Sequence, residues 1–233
     1  MLDRAARRII DPLLMPAAVR MAQAGLSPAL ITSLGLVAGL AAATAIALQH
    51  HSLAAALILL NRLCDGLDGM VARQSRSTDR GGFLDIVFDL IFYGAVPLGF
   101  GLSNPQYLLP AAALLHSFLG TSGSFLAYAA MSAKRGQTAG WGGQKSFAWS
   151  AGLMEGTETV LFFLAFCLFP SAFVPLAWTF CGLCWLTTLL RIVAAWLQFT
   201  DSAPPLPESQ HSVSAVSTAQ ILTEQEHGPR NVD

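Results

Sequence analysis

CDGLDGMVARQSRSTDRGGFLDIVFD, residues 64–89, sets four aspartates within or beside apolar stretches: Asp65, Asp68, Asp85 and Asp89. A carboxylate in the hydrocarbon region costs about 2.5 kcal/mol or more on insertion scales, so such residues mark a functional site by default. Asp65 and Asp68 are three residues apart, Asp85 and Asp89 four. On a helix both spacings put the pair on one face, one turn apart. Two such helices facing each other would converge all four carboxylates. So much negative charge does not stay ionised in a low-dielectric site unless cations are bound there. Acidic oxygen ligands suit magnesium or manganese rather than zinc, and two such ions would bridge a phosphate. Gly66, Gly69, Ala72, Gly81 and Gly82 suggest a slot for a flat, polar headgroup, although small residues also let membrane helices pack closely. Arg73 stands where it could meet a phosphate or carboxylate, or serve as an ordinary interfacial arginine.

Outward from this segment the chain is apolar. Hydrophobic residues make up 54% of its 233 positions and charged residues 12%, about half the charged share of a soluble domain. Six stretches approach or exceed the ~20 residues that cross a bilayer, at about 29–48, 53–73, 82–102, 107–132, 148–169 and 172–198. Arg4, Arg7, Arg8 and Arg20 precede the first, Arg73, Arg76 and Arg80 follow the second, and Lys134, Arg135 and Lys145 follow the fourth. The alternate connections carry no Lys or Arg. The positive-inside rule then places both termini and the two long loops in the cytoplasm. The expected fold is an all-α integral membrane protein of six transmembrane helices, preceded by an amphipathic interfacial helix and lying in the inner membrane. The formal net charge of −1 hides this sidedness, and no nucleic-acid partner is expected.

Residues 1–25 carry Ile9, Ile10, Leu13, Leu14, Ala17 and Met21 at helical spacing opposite arginines. This suits a basic helix lying in the interface, broken near Asp11-Pro12 into two pieces. No cleavable signal peptide is expected, because Asp11, Pro12 and Pro16 interrupt the apolar run. Ser27 and Pro28 read as the cap and first residue of the opening span. The membrane domain is expected over 26–200. A glycine-rich loop occupies 136–147, and the polar, proline-containing segment 201–233 reads as a disordered cytoplasmic tail. Cys64, Cys167, Cys181 and Cys184 all fall in apolar spans and read as buried small hydrophobes, despite the redox-like spacing of the last two.

The acidic segment resembles the signature of the CDP-alcohol phosphotransferases, D-x-x-D-G-x-x-A-R followed by G-x-x-x-D-x-x-x-D. Here Asp65, Asp68, Gly69, Ala72, Arg73, Gly81, Asp85 and Asp89 fill all eight fixed positions. Seven residues separate Arg73 from Gly81, one fewer than is typical, in a connecting loop. The resemblance, with the Pro28…Thr32 opening of the first span, extends over 25–198. It implies a membrane enzyme that joins a CDP-linked lipid to a hydroxyl compound and releases CMP. Asp65, Asp68 and Asp85 would be metal ligands, and Asp89 a ligand or the general base that takes the acceptor's proton. Gly69, Ala72 and Gly81 would border the nucleotide with Thr32, and Arg73 would orient the site. The implied donor is CDP-diacylglycerol and the implied assembly a homodimer.

Acceptor choice must come from other groups. Counted at ~1.5 Å per residue, the four aspartates, Glu155 and Arg191 lie at one depth, roughly 5–12 Å inside the cytoplasmic end, with Glu158 a turn deeper. Arg191, Arg135 and Lys145 could hold a phosphorylated polyol, whereas Glu155 and Glu158 work against an anionic acceptor. Either glutamate could instead pair with Arg191 or Arg62 to neutralise charge, or line a pocket for a polyol or an amino alcohol. Glycerol 3-phosphate is the default acceptor. His116 reads as a satisfied core residue. The rivals are a transferase with another CDP-alcohol donor and a lipid acceptor, an ion-coupled carrier, and a relative without catalysis. The crowding of the acids at one end argues against the carrier.

Overall fold

The computed structural model describes residues 3–75, 78–135, 154 and 156–199. Among these, every regular element is helical: α1 (Asp3–Gln23), α2 (Pro28–Ala47), α3 (His51–Gln74), α4 (Asp79–Ser103), α5 (Leu108–Lys134), α6 (Gly156–Leu168) and α7 (Phe173–Gln198). Short 3₁₀ turns at Pro105–Tyr107 and Pro170–Ala172 lead into α5 and α7. All seven helices belong to one compact unit, Met1–Gln198. The loop at 136–147 and the segment 201–233 lie outside the described residues.

Three stretches among the described residues are long and apolar enough to cross a bilayer: Pro28–Ala47, Asp79–Ser103 and Pro170–Gln198. The expected span at 53–73 coincides with α3, whose second half carries Arg62, Asp65, Asp68 and Arg73. The expected span at 148–169 begins outside the described residues and continues as the 13-residue α6. Leu30, Leu34, Val37 and Leu40 of α2 and Trp196 and Leu197 of α7 are exposed. An outer surface of large apolar side chains is what a lipid environment selects, and the chain is a membrane protein.

α2 is the keystone of the bundle. Both α3 and α4 pack along it, while neither is closely packed on the other. Its glycines permit this. A Cβ at Gly35 would stand 3.0 Å from Cβ of Cys64 on α3, and one at Gly39 would stand 2.6 Å from Cδ2 of Phe92 on α4. Further along, α4 returns the favour: a Cβ at Gly99 would meet the carbonyl oxygen of Ala43 at 2.5 Å. Without a hydrophobic drive between helices in lipid, such close backbone approach supplies the packing. α5 joins α4 to α7, and α6 packs on α3. The remaining core is aromatic. Phe92, Phe100, Phe163, Phe166, Phe173 and Phe180 are fully buried, with Phe100 stacked on Phe173 at 4.4 Å and edge-on to Phe166 at 5.7 Å.

Helix α1 is continuous through Pro12 and Pro16, so the break expected at Asp11-Pro12 does not occur. Each proline removes one N–H donor and crowds the carbonyl four residues earlier. Here those carbonyls belong to Arg8 and Pro12, both exposed, where solvent can serve them. Leu14 and Ala18 hold the helix by docking in a small cluster with Ile31, Met70 and Val71. At the start of α2, Ser27 takes the cap position and Pro28 the first turn, with no side-chain capping bond from Ser27.

Candidate active site

The sequence around α4's start fixes where its acids lie. Thr78 caps the helix by accepting a hydrogen bond from the backbone N–H of Gly81 (3.1 Å), with Asp79 in the first turn. Both features favour a helix N-terminus. Asp85 and Asp89 follow in the second and third turns. On α3 the acids come at the opposite end, so the C-terminal half of α3 and the N-terminal half of α4 meet across the first turns of α2. Between them opens a cleft lined by Thr32, Gly35, Leu36, Asn61, Arg62, Asp65, Asp68, Asp85, Phe88 and Asp89. All four sequence-predicted carboxylates therefore share one cavity.

A guanidinium stands among them. Arg62 Nη2 donates to Asp89 Oδ1 at 2.6 Å, and Nη1 lies 3.5 Å from Asp65 Oδ2 and 3.3 Å from the Tyr93 hydroxyl. Its Nε donates to Asn61 Oδ1 (2.8 Å), and Asn61 Nδ2 in turn donates to the Gly35 carbonyl of α2 (2.8 Å). The guanidinium carbon also sits 4.8 Å from the centre of the Phe92 ring, a cation–π contact. The expected alternative in which Arg62 neutralises Glu155 or Glu158 thus gives way to Asp89 and Asp65. Arg62 lies three residues before Asp65, a spacing that puts both on one helix face. Its approach to Asp89, 27 residues away, needs the fold.

Four carboxylates and one guanidinium on the wall leave an excess of three negative charges when all are ionised. Asp68 is 5% exposed, and its Oδ2 is buried with no hydrogen-bond partner. An acid-rich cavity with a bare carboxylate oxygen fits a hard divalent cation. Among the described residues, however, no three acidic, imidazole or thiol side chains converge on a single coordination point; Arg62 reaches Asp65 and Asp89 instead.

The remaining expected residues divide. Thr32 lines the cleft, its hydroxyl donating to the Pro28 carbonyl at 2.9 Å. Gly69, Ala72, Arg73 and Gly81 are not on its wall. Arg73 is exposed and lies back along α3, its Nη1 3.4 Å from where a Cβ of Gly69 would be. Gly81 serves the α4 cap. Glu158 and Arg191 are buried on α6 and α7 but do not line the cleft. Arg191 Nη1 donates to the Thr121 carbonyl of α5 (2.8 Å), with Phe125 beneath the guanidinium. Arg135 closes the C-terminus of α5. Lys145 and Glu155 lie outside the described residues. His116 is exposed beside Trp185, ring centres 5.2 Å apart, and so is not the core residue expected. All four cysteines are free thiols, three of them buried.

A helical membrane protein whose acidic cleft lies between α2, α3 and α4 at one end of the bundle is thereby defined. The family model for CDP-alcohol phosphatidyltransferase matches residues 25–198, and the chain belongs to that family of membrane enzymes. It is 45% identical over 198 residues to the inner membrane protein YnjF of Escherichia coli K12, covering 84% of this chain and 96% of that protein. Among solved structures, phosphatidylinositol phosphate synthase (PgsA1) of Mycobacterium tuberculosis, crystallised with CDP-DAG bound, shares the fold. Its TM-score is 0.59 at 23% identity, covering 79% of this chain and 94% of that one.

Proposed function

We propose that this enzyme moves a phosphatidyl group from CDP-diacylglycerol to a small alcohol, releasing CMP. The observation that carries the reading is the gathering of Asp65, Asp68, Asp85 and Asp89 on one cleft in a chain of this family. Asp89 is the general base. It takes the proton of the acceptor hydroxyl as that oxygen attacks the lipid-side phosphorus; a new P–O bond forms, the bond to the CMP oxygen breaks, and CMP departs with its electron pair. Asp65, Asp68 and Asp85 are the residues that would hold Mg2+ or Mn2+, as two ions. When bound, such ions neutralise the charge of the diphosphate and of the leaving CMP.

The diphosphate sits in the acid-lined cleft, with nucleotide and acyl chains projecting beyond it. Gly69, Ala72 and Gly81 border the projecting nucleotide with Thr32, and Arg73 can turn from Gly69 toward it. The acceptor is glycerol 3-phosphate by default, with Arg191, Arg135, Lys145, Glu155 and Glu158 as the candidate selectors. We place the enzyme in the inner membrane with six spans and the acidic end toward the cytoplasm, where the arginines and lysines of the connecting loops cluster.

The test is CMP release by purified protein in lipid vesicles, given CDP-diacylglycerol, Mg2+ or Mn2+, and one acceptor at a time: glycerol 3-phosphate, inositol, inositol phosphate, serine, ethanolamine or choline. Release with one acceptor, abolished by Asp89→Asn, supports the reading and names the product. Silence with every acceptor, together with failure to bind CDP-diacylglycerol, refutes it.

A further inference from the structure

We infer that Arg62 is a positioning residue for Asp89, and that Asn61 and Phe92 hold Arg62 for this purpose. The inference rests on the reading of Asp89 as the base. A carboxylate serves as a base through one oxygen, and its efficiency depends on that oxygen pointing at the proton it accepts. Asp89 Oδ1 is taken by Arg62 Nη2 at 2.6 Å, whereas Oδ2 has only a long contact of 3.5 Å with the Tyr93 hydroxyl. Oδ2 is thus the oxygen left for the acceptor.

What sets Arg62 apart from an ordinary counter-ion is how it is fixed. A flexible arginine would spread over several carboxylates and orient none. Here its Nε is bound to Asn61, which is 4% exposed and itself bound to the α2 backbone at Gly35. Its flat face rests on Phe92, which is fully buried, and Tyr93 meets its Nη1. Both aromatics belong to α4, the helix that carries Asp89. The guanidinium therefore ties α2, α3 and α4 together at the depth of the base. The planar fork of arginine lets one cation satisfy Asn61, Asp89 and Asp65 at once, which an ammonium at the same place does not reproduce.

The experiment compares Arg62→Met, Arg62→Gln and Arg62→Lys with wild type in the CMP-release assay, after wild type has been shown active and Asp89→Asn inactive. That first step isolates the functional reading: if it fails, the reading falls. With it in place, Arg62→Met and Arg62→Gln lower kcat about 100-fold, the size of loss a misplaced catalytic group produces. The KM for CDP-diacylglycerol changes much less than kcat, about threefold at most, because the guanidinium is engaged by Asp89 and Asp65 and not by the donor. Arg62→Lys recovers part of kcat through its single charge. Adding Asn61→Leu to Arg62→Met lowers kcat no further, because both changes act through one group.

Three results overturn the inference. One is wild-type kcat in Arg62→Gln. Another is full recovery of Arg62→Met by raised Mg2+, which would make Arg62 a charge balance alone. The third is an additive loss in the double variant. If Arg62→Met does not fold, Arg62→Gln and Arg62→Lys carry the same comparison.

Discussion

Gly39→Ala is the sharpest probe of how the bundle builds its site. The added Cβ would lie 2.6 Å from Cδ2 and 3.3 Å from Cγ of Phe92, and 3.2 Å from Asn61 Nδ2. Ordinary carbon–carbon contact is about 3.5–4.0 Å, so Phe92 or its helix must yield by roughly 1 Å. The ring has little freedom to turn. It is fully buried, edge-on to Phe163 at 5.8 Å, and covered by Arg62 at 4.8 Å. Overpacking of this kind costs about 1–3 kcal/mol. The displaced groups are Phe92 and Asn61, which hold Arg62 against Asp89, and a shift of about 1 Å at a catalytic group can cost 10²-fold in rate.

Gly99→Ala supplies the comparison. Its Cβ would meet backbone, the Ala43 carbonyl oxygen at 2.5 Å, yet Gly99 lies ten residues beyond Asp89, about 15 Å along α4. Thermal unfolding in detergent and CMP release in vesicles should therefore separate the two. Both variants melt lower than wild type, and Gly39→Ala loses far more kcat than Gly99→Ala. Wild-type kcat and melting in Gly39→Ala would refute the packing argument. Equal kcat losses in the two variants would show that activity follows global stability and not the local fit of α4.

Other perturbations reach the same cleft. Asp89→Asn abolishes CMP release while CDP-diacylglycerol binding persists, measured by equilibrium binding in nanodiscs. Asn61→Leu breaks the bond to Gly35 and frees Arg62, lowering the melting midpoint by an amount equivalent to about 0.6–2 kcal/mol and reducing kcat in parallel with the Arg62 variants. Arg191→Met removes the donor to the Thr121 carbonyl between α7 and α5. Hydrogen bonds to charged groups contribute about 1.5–3 kcal/mol, and detergent melting reads that loss.

The acidic motif was legible because charge in an apolar segment is expensive, and spacings of three and four residues assign Asp65, Asp68, Asp85 and Asp89 to two helix faces before any fold is known. What joins those faces was not legible. Gly35, Gly39 and Gly99 sit in apolar runs where small residues are common, and only their opposite numbers, Cys64 on α3, Phe92 on α4 and Ala43 on α2, show why a side chain would not fit. The glycines near the aspartates drew attention instead, yet Gly69 and Gly81 lie off the cleft wall. Arg62 was visible as an intramembrane cation, but only as one candidate partner for Glu155 or Glu158, and Asp89 was not among its expected partners. The relation to Asp65 is local, whereas that to Asp89 depends on α2 bringing α3 and α4, which are not closely packed on each other, to one depth. Pro12 and Pro16 misled for the opposite reason. Their local penalty is real, but the exposed positions of Arg8 and Pro12 and the docking of Leu14 and Ala18 offset it.

Asp68 offers the most direct test of whether this cleft is built for an occupant. Its carboxylate is 5% exposed with Oδ2 buried and unbonded, and leaving such an atom without a partner costs about 1–3 kcal/mol. A side chain retained for folding alone would not be left this way, whereas one retained for a cation would be costly only until the cation binds. The two cases diverge in the variant Asp68→Asn, melted in detergent with chelator and then with Mg2+. In chelator the variant, relieved of a buried charge, melts at or above wild type. On adding Mg2+ wild type rises, since a ligand that binds only the folded state stabilises it by RT ln(1 + [L]/Kd), and the variant responds little. A variant that melts well below wild type in chelator, with an undiminished response to Mg2+, would mean that Asp68 supports the fold and that the cation is held without it.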